Sequence, residues 1–187
     1  MVAPLPPLLP ALQWAPELLL QAQGVRAVLL DVDGVLTDGG LYFSGEGEVL
    51  KRFDSLDGHG IKLLQQAGLQ AMVVSGRDSP ALRLRLAALG VQRLRLGTED
   101  KLPAAQGLLA ELGLTFHELA VMGDDWPDLP LLRRARLACA PAQAHAEVRA
   151  VAHHVTRAAG GHGAVRELCD LLLVASGRYA QLLARAS

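Results

Sequence analysis

From Val25 onward, short apolar runs alternate with longer stretches of helical character, and glycines fall at the joints. Val25 to Val32, Ala71 to Val74, Arg93 to Leu96, Leu119 to Met122, Leu137 to Ala140 and His154 to Thr156 have the length and content of strands. Between and after them the pattern predicts six helices: Ile61 to Ala67 ending at Gly68, Pro80 to Leu89 ending at Gly90, Pro103 to Leu112, Pro127 to Ala135, one near His145 to Ala150, and Ala164 to Ser176. Strand and helix in strict alternation read as repeated βα units, which predicts an α/β fold with a doubly wound, mostly parallel sheet. Such a sheet places its ligand crevice at the carboxyl ends of the strands, beside the switch in strand order.

The stretch 39–53 breaks this rhythm. Leu41-Tyr42-Phe43 and Val49-Leu50-Lys51-Arg52-Phe53 flank the glycine-containing Ser44-Gly45-Glu46-Gly47-Glu48, the pattern of a β-hairpin. Between Thr37 and Ser75 there is room for that hairpin and one helix, but not for a cap domain, and none fits after Lys101. The domain is expected over 25–176, preceded by a proline-rich extension (1–24) and followed by a tail (177–187). The extension carries no Lys or Arg for the basic region of a signal peptide, and Leu18-Leu19-Leu20 is too short to span a bilayer. A helix packing on the domain or on another subunit is expected there.

Composition narrows the function classes. At 187 residues, 51% hydrophobic and 20% charged, the chain suits one soluble domain with a substantial core. A net charge of -1 gives no electrostatic case for nucleic acid or an anionic membrane, which favours small-molecule chemistry. Cys139 and Cys169 show no C-x-x-C spacing, so neither a zinc site nor a disulfide framework is indicated, and a reducing cytoplasm is the simplest compartment.

Candidate chemistry gathers at the strand ends. Asp31-Val32-Asp33-Gly34-Val35-Leu36-Thr37-Asp38 sets two carboxylates one strand repeat apart where an apolar strand runs into glycine. The first can act as nucleophile toward phosphorus and as metal ligand, and the second is placed to handle the leaving group's proton. This motif resembles the first motif of the haloacid dehalogenase superfamily, whose Asp nucleophile forms an aspartyl-phosphate. After the next strand, Ser75-Gly76-Arg77 offers a hydroxyl and backbone amides before a helix, suited to a phosphate. Lys101 follows the third strand end, where an ammonium could neutralise Asp31 and the phosphoryl oxygens. Gly123-Asp124-Asp125-Trp126-Pro127-Asp128 supplies three acids at the fourth. Asp124 is the natural Mg²⁺ ligand beside Asp31, with the backbone carbonyl of Asp33 as a third; Asp125 and Asp128 either support the site or are acids favoured by a helix N-terminus.

These four segments, in order, match the four haloacid dehalogenase motifs. The stretch from Asp31 to Gly39, Phe53 with Asp57-Gly58-His59-Gly60-Ile61, and Gly160-Gly161-His162-Gly163-Ala164-Val165-Arg166-Glu167-Leu168-Cys169 resemble the 3-deoxy-D-manno-octulosonate 8-phosphate phosphatase family over residues 25–176. The resemblance implies a capless, Mg²⁺-dependent phosphatase of a phosphosugar acid, acting in lipopolysaccharide precursor synthesis. It also implies a homotetramer in which one subunit's hairpin helps close a neighbour's active site. On this reading Asp31, Asp33 and Lys101 are catalytic; Asp31, Asp33 and Asp124 hold the metal; and Gly34, Asp57, Gly58, Ser75, Gly76, Arg77 and Arg85 bind phosphate or substrate.

One departure concerns specificity. The family commonly carries a basic residue just before its Asp-Gly, where this chain has Ser55-Leu56 ahead of Asp57-Gly58. The change alters how the sugar acid is read, or leaves the charge to Arg77, Arg85 or a neighbouring subunit. The alternatives are a phosphatase for a related nine-carbon 9-phosphate, a non-catalytic binding or assembly homologue and, last, a phosphomutase. Arg166 and Glu167 are expected either as a solvated helical pair or near the mouth of the site.

Overall fold

A computed structural model of the protein describes Ala11 and residues 13–185. Its centre is a six-stranded sheet of β1 (Ala27–Leu30), β4 (Gln70–Ser75), β5 (Arg93–Leu96), β6 (Leu119–Met122), β7 (Leu137–Ala140) and β8 (His154–Val155). The spatial order is β5-β4-β1-β6-β7-β8, and every pairing is parallel. The chain thus winds outward from β1 to one edge and returns to build the other, so the switch in direction lies at β1 and its neighbours.

Side-chain alternation along the strands serves two cores. Val28, Leu30, Val73 and Met122 face one layer, while Ala27, Leu29, Val74 and Val121 face the other. Because both faces are covered, β1 is buried at every position and reads in sequence as an uninterrupted apolar run. One layer holds α1 (Pro16–Ala22), α2 (Ser55–Gln66), α3 (Pro80–Ala88) and α7 (Ala164–Ala175); the other holds α4 (Lys101–Leu112), α5 (Leu129–Leu132) and α6 (Ala146–Val151). The hairpin forms from β2 (Tyr42–Ser44) and β3 (Gly47–Leu50), a separate antiparallel pair.

Several boundaries move for local reasons. Helix α2 begins at Ser55 rather than Ile61, because the Asp54 carboxylate caps it by accepting the Leu56 N–H at 2.7 Å. Asp57 and Gly58 therefore lie inside a helix. Pro127 to Ala135 is not one helix but a 3₁₀ turn (Trp126–Asp128) followed by the single turn of α5, with Pro127 and Pro130 supplying no N–H to continue the ladder. Strand β1 spans Ala27–Leu30, shorter at both ends than the expected Val25 to Val32. The expected N-terminal helix is α1, packed against α7, whereas the run Pro4 to Pro10 lies outside the described residues. A further helix, α8 (Tyr179–Arg185), forms in the segment expected as a tail.

Candidate active site

The Asp31 backbone still follows the sheet: its N–H donates to Met122 O at 3.1 Å, which fixes the carboxylate above the β1/β6 junction. Beyond it the loop is held by Thr37, whose hydroxyl oxygen accepts the N–H groups of Gly34 and Gly39. Gly34 has φ +83°, and a Cβ there would lie 2.0 Å from the Asp124 carboxylate. Glycine is thus required both by conformation and by the approach of the acid from the next strand end.

Lys101 sits at the first turn of α4, buried, and its ammonium meets Asp31 Oδ1 at 2.8 Å and Asp128 Oδ1 at 2.7 Å. The other Asp128 oxygen accepts the N–H groups of Asp124 and Asp125 at 3.1 and 3.4 Å. Asp128 is buried at 1% exposure, with Gly123 leaving room for it: a Cβ there would come within 2.3 Å of the Asp128 side chain. Asp128 therefore does more than sit at a helix start; it orients Lys101 and shapes the Asp124 loop. Asp31, Asp124 and Asp128 bring carboxylate oxygens within 4.8 Å of one another. With Asp128 occupied by three donors, Asp31 and Asp124 are the carboxylates left to face a cation.

Electrostatics support that division. Burial, then the nearby Asp128 charge, push Asp31 up to about 7 against the opposing pull of Lys101. Burial, then Asp31 and Asp128, push Asp124 up to about 7 as well. Lys101 is held above its usual range, the two carboxylates outweighing the opposing cost of its burial. Two acids so raised and so close fit a divalent cation, which would favour both ionised forms at once.

A cavity of about 470 Å³ opens over these groups, with Asp31, Asp33, Ser75, Gly76, Arg77, Lys101 and Asp124 among its walls. Ser75 Oγ accepts the Arg77 N–H at 3.1 Å, which leaves its own hydroxyl hydrogen available to a ligand oxygen. Arg77 Nε lies 3.7 Å from Asp33 Oδ2. The other Asp33 oxygen accepts from Lys51, a buried residue just after β3 that the sequence reading passed over. Glu99 and Gly39 also line the cavity and were likewise missed. A solvent-facing hairpin gave no periodic signal that its single lysine turns inward.

Four expected substrate contacts do not line this cavity: Gly34, which packs against the Asp124 carboxylate, and Asp57, Gly58 and Arg85. Asp57 is buried and accepts the N–H groups of Arg166 and Gly163 at 2.8 and 3.3 Å, so it caps the start of α7. Gly58 makes room for Arg85: a Cβ would meet that guanidinium at 2.2 Å. Arg85 donates to Asp54 O at 3.0 Å and lies over Phe53, 5.9 Å from the ring centre. Asp54 starts α2 ahead of these residues, so Asp57 and Gly58 pack inward on one helix. Glu167 is no solvated residue either; it is buried and accepts backbone N–H groups of Arg157 and Ala158.

Residues 96–168 match the family model described as haloacid dehalogenase-like hydrolase. The 3-deoxy-D-manno-octulosonate 8-phosphate phosphatase KdsC of Escherichia coli (strain K12) is 40% identical over 162 residues, 87% of this chain and 86% of that protein. Its Haemophilus influenzae counterpart is 42% identical over 156 residues, 83% of this chain and 87% of its own length. The chain belongs to the KdsC phosphatase family. A KdsC phosphatase structure from Moraxella catarrhalis, in complex with magnesium ion, phosphate ion and KDO, superposes with a TM-score of 0.89 at 34% identity, covering 91% of this chain and 98% of that one. The cobalt-bound Haemophilus influenzae structure gives 0.83 at 42% identity, covering 85% of this chain and 93% of that one.

The glycine-rich segment Gly160-Gly161-His162-Gly163 packs on the loop that carries Asp31 and Asp33. A Cβ at Gly160 would stand 1.9 Å from Gly34 O, and one at Gly161 would stand 2.5 Å from Asp38 N. The Gly161 N–H donates to Val35 O at 3.0 Å, and Gln143 Nε2 reaches Gly34 O at 2.7 Å. Gly160 and Gly161 are a structural brace for the first motif.

Proposed function

We propose that this chain is a Mg²⁺-dependent phosphatase that converts 3-deoxy-D-manno-octulosonate 8-phosphate to the free sugar acid and phosphate, a step in lipopolysaccharide precursor synthesis. One observation carries the chemistry: buried Lys101 holds Asp31 at the floor of a cavity also walled by Asp33, Ser75 and Asp124. Asp31 and Asp124 would hold the metal, with the Asp33 backbone carbonyl as a third ligand. Mg²⁺ bound there supplies positive charge to the phosphoryl oxygens and sets their orientation.

The chain's own groups do the rest. Asp31 attacks phosphorus in line, and the bond to the sugar oxygen breaks as Asp33 gives that oxygen a proton. The Lys101 ammonium, the Ser75 hydroxyl and the Gly76 amide stabilise the equatorial oxygens, and Arg77 faces the same space. Asp33 then takes a proton from water, whose oxygen attacks the aspartyl-phosphate and restores Asp31.

The enzyme works as a homotetramer in the cytoplasm, with a neighbour's hairpin completing each site. In support, Tyr42, Phe43, Val49 and Leu50 all stand exposed on the isolated hairpin, the cavity mouth is open, and both cysteines are buried and free. Among the described residues no helix is long and apolar enough to cross a membrane.

A screen of phosphosugar acids with released phosphate as readout tests the assignment. Turnover is expected with Mg²⁺, not with EDTA, and not in Asp31→Asn; retained hydrolysis in that variant would sink it. Leu56, exposed where the family places a basic residue, favours one second reading, a nine-carbon sugar acid 9-phosphate as substrate. Comparing kcat/KM on both substrates separates the two.

A further inference from the structure

Asp33 is not held in place by its own loop. Lys51, whose side chain is 1% exposed, places its ammonium 2.5 Å from Asp33 Oδ1 and 2.8 Å from Glu48 Oε1. Arg77 stands at the other oxygen, but at 3.7 Å and with its side chain 47% exposed, so solvent weakens that contact. Lys51 is therefore the principal fixed charge on Asp33, and it belongs to the base of a hairpin that does not join the main sheet. A purely structural pin there would be redundant. The adjacent Arg52 already ties the hairpin's exit to the body by donating to Gly161 O at 2.6 Å.

We infer that Lys51 is a positioning residue for proton transfer, which through Glu48 makes the placement of Asp33 depend on where the hairpin sits. This rests on the phosphatase reading above. When the Asp33 carboxyl passes its proton to the ester oxygen, the electron pair of the breaking P–O bond stays on that oxygen and Asp33 is left as an anion. The Lys51 ammonium, at Asp33 Oδ1, fixes the direction of that carboxylate. In the second half, water returns the proton to Asp33 as its oxygen bonds to phosphorus and the Asp31 carboxylate leaves.

A sugar alcohol is a poor leaving group that needs this proton, whereas p-nitrophenolate hardly does. Full-length wild type, Lys51→Met, Lys51→Arg and Glu48→Gln are assayed with Mg²⁺ on 3-deoxy-D-manno-octulosonate 8-phosphate and on p-nitrophenyl phosphate. For Lys51→Met, kcat on the sugar phosphate should fall about 100-fold, at least about tenfold more than on the aryl ester, with KM changing less than about threefold. Lys51→Arg should recover part of the loss, and Glu48→Gln should shift the sugar-to-aryl ratio in the same direction by less. Equal losses on both esters, or a loss in KM alone, would overturn the inference. If Lys51→Met does not fold, Glu48→Gln decides, and an unchanged ratio there overturns it. Wild type inert toward both esters would instead overturn the phosphatase reading, and this inference with it.

Discussion

Gly34 and Asp124 come from different strand ends yet share one space: a single Cβ on Gly34 would stand 2.0 Å from the Asp124 carboxylate. The loop that carries Asp31 is thus built to admit the Asp124 carboxylate. Gly123 does the same for Asp128, and Gly160 for the carbonyl of Gly34 itself. Three glycines remote in sequence set the packing of one carboxylate cluster.

Gly34→Ala should therefore fail at metal binding before it fails at folding. The Mg²⁺ concentration for half-maximal activity is expected to rise about tenfold or more, since groups that orient a ligand carry effects of that size. A stability cost of about 1–3 kcal/mol from the positive φ should appear in urea melts. An unchanged metal requirement would show that Asp124 is not the ligand.

Lys101 is the counter-charge to two buried acids. Lys101→Met leaves Asp31 and Asp128 uncompensated, and breaking a buried pair of this kind costs about 3–5 kcal/mol. In EDTA, a denaturant melt should show that loss, and turnover with Mg²⁺ should fall by about 100-fold or more. A variant as stable as wild type would mean that the site tolerates those acids without the lysine.

The raised carboxylates predict a pH dependence of definite sign. Asp31 and Asp124 at about 7, and Asp57 at about 6, bind protons more tightly in the folded chain than at their ordinary value of 3.8. Without metal, their contribution favours the folded state at low pH and is lost as pH rises from near 4 through 7. A cation at Asp31 and Asp124 reverses the trend, because it binds the ionised forms. The gain in Tm from Mg²⁺ over EDTA should then be larger at pH 8 than at pH 5.5, by roughly 4 °C or more. Calorimetry in buffers of different ionisation heat should detect proton release on Mg²⁺ binding near pH 6.5.

Phe43 and Val49 stand 59% exposed on the hairpin, apolar surface a lone chain would leave wet. Phe43→Ser with Val49→Ser should lower the mass seen by light scattering and reduce turnover of the sugar phosphate, while the monomer's melting temperature stays within about 2 °C, as for surface substitutions. An unchanged mass would remove the hairpin from the assembly.

The strands, the order of the four motifs and the identities of Asp31, Ser75, Lys101 and Asp124 were legible because each sits where an apolar run meets a turn, a signal that depends on near neighbours alone. The role of Lys51 was not, since a hairpin lysine ordinarily points to water and only the folded chain turns this one onto Asp33. The packing of Asp57 and Arg85 was hidden for a related reason. Their motif looks like a loop until Asp54 caps α2, and then their partners are the start of α7 and the ring of Phe53.

By itself the sequence determined the kind of chemistry: a strand-end aspartate pair, a hydroxyl and amides for phosphate, one ammonium and a further acid, in the order a doubly wound sheet requires. Tertiary structure alone decided how those groups divide the work. Asp128 serves Lys101 and the Asp124 loop as well as the start of the 3₁₀ turn, the glycines at 160 and 161 brace the first motif, and the hairpin reaches Asp33. These are contacts between segments far apart in the chain, Val35 and Gly161 among them, set by close packing and the need to pair buried charge, which no local pattern of residues encodes.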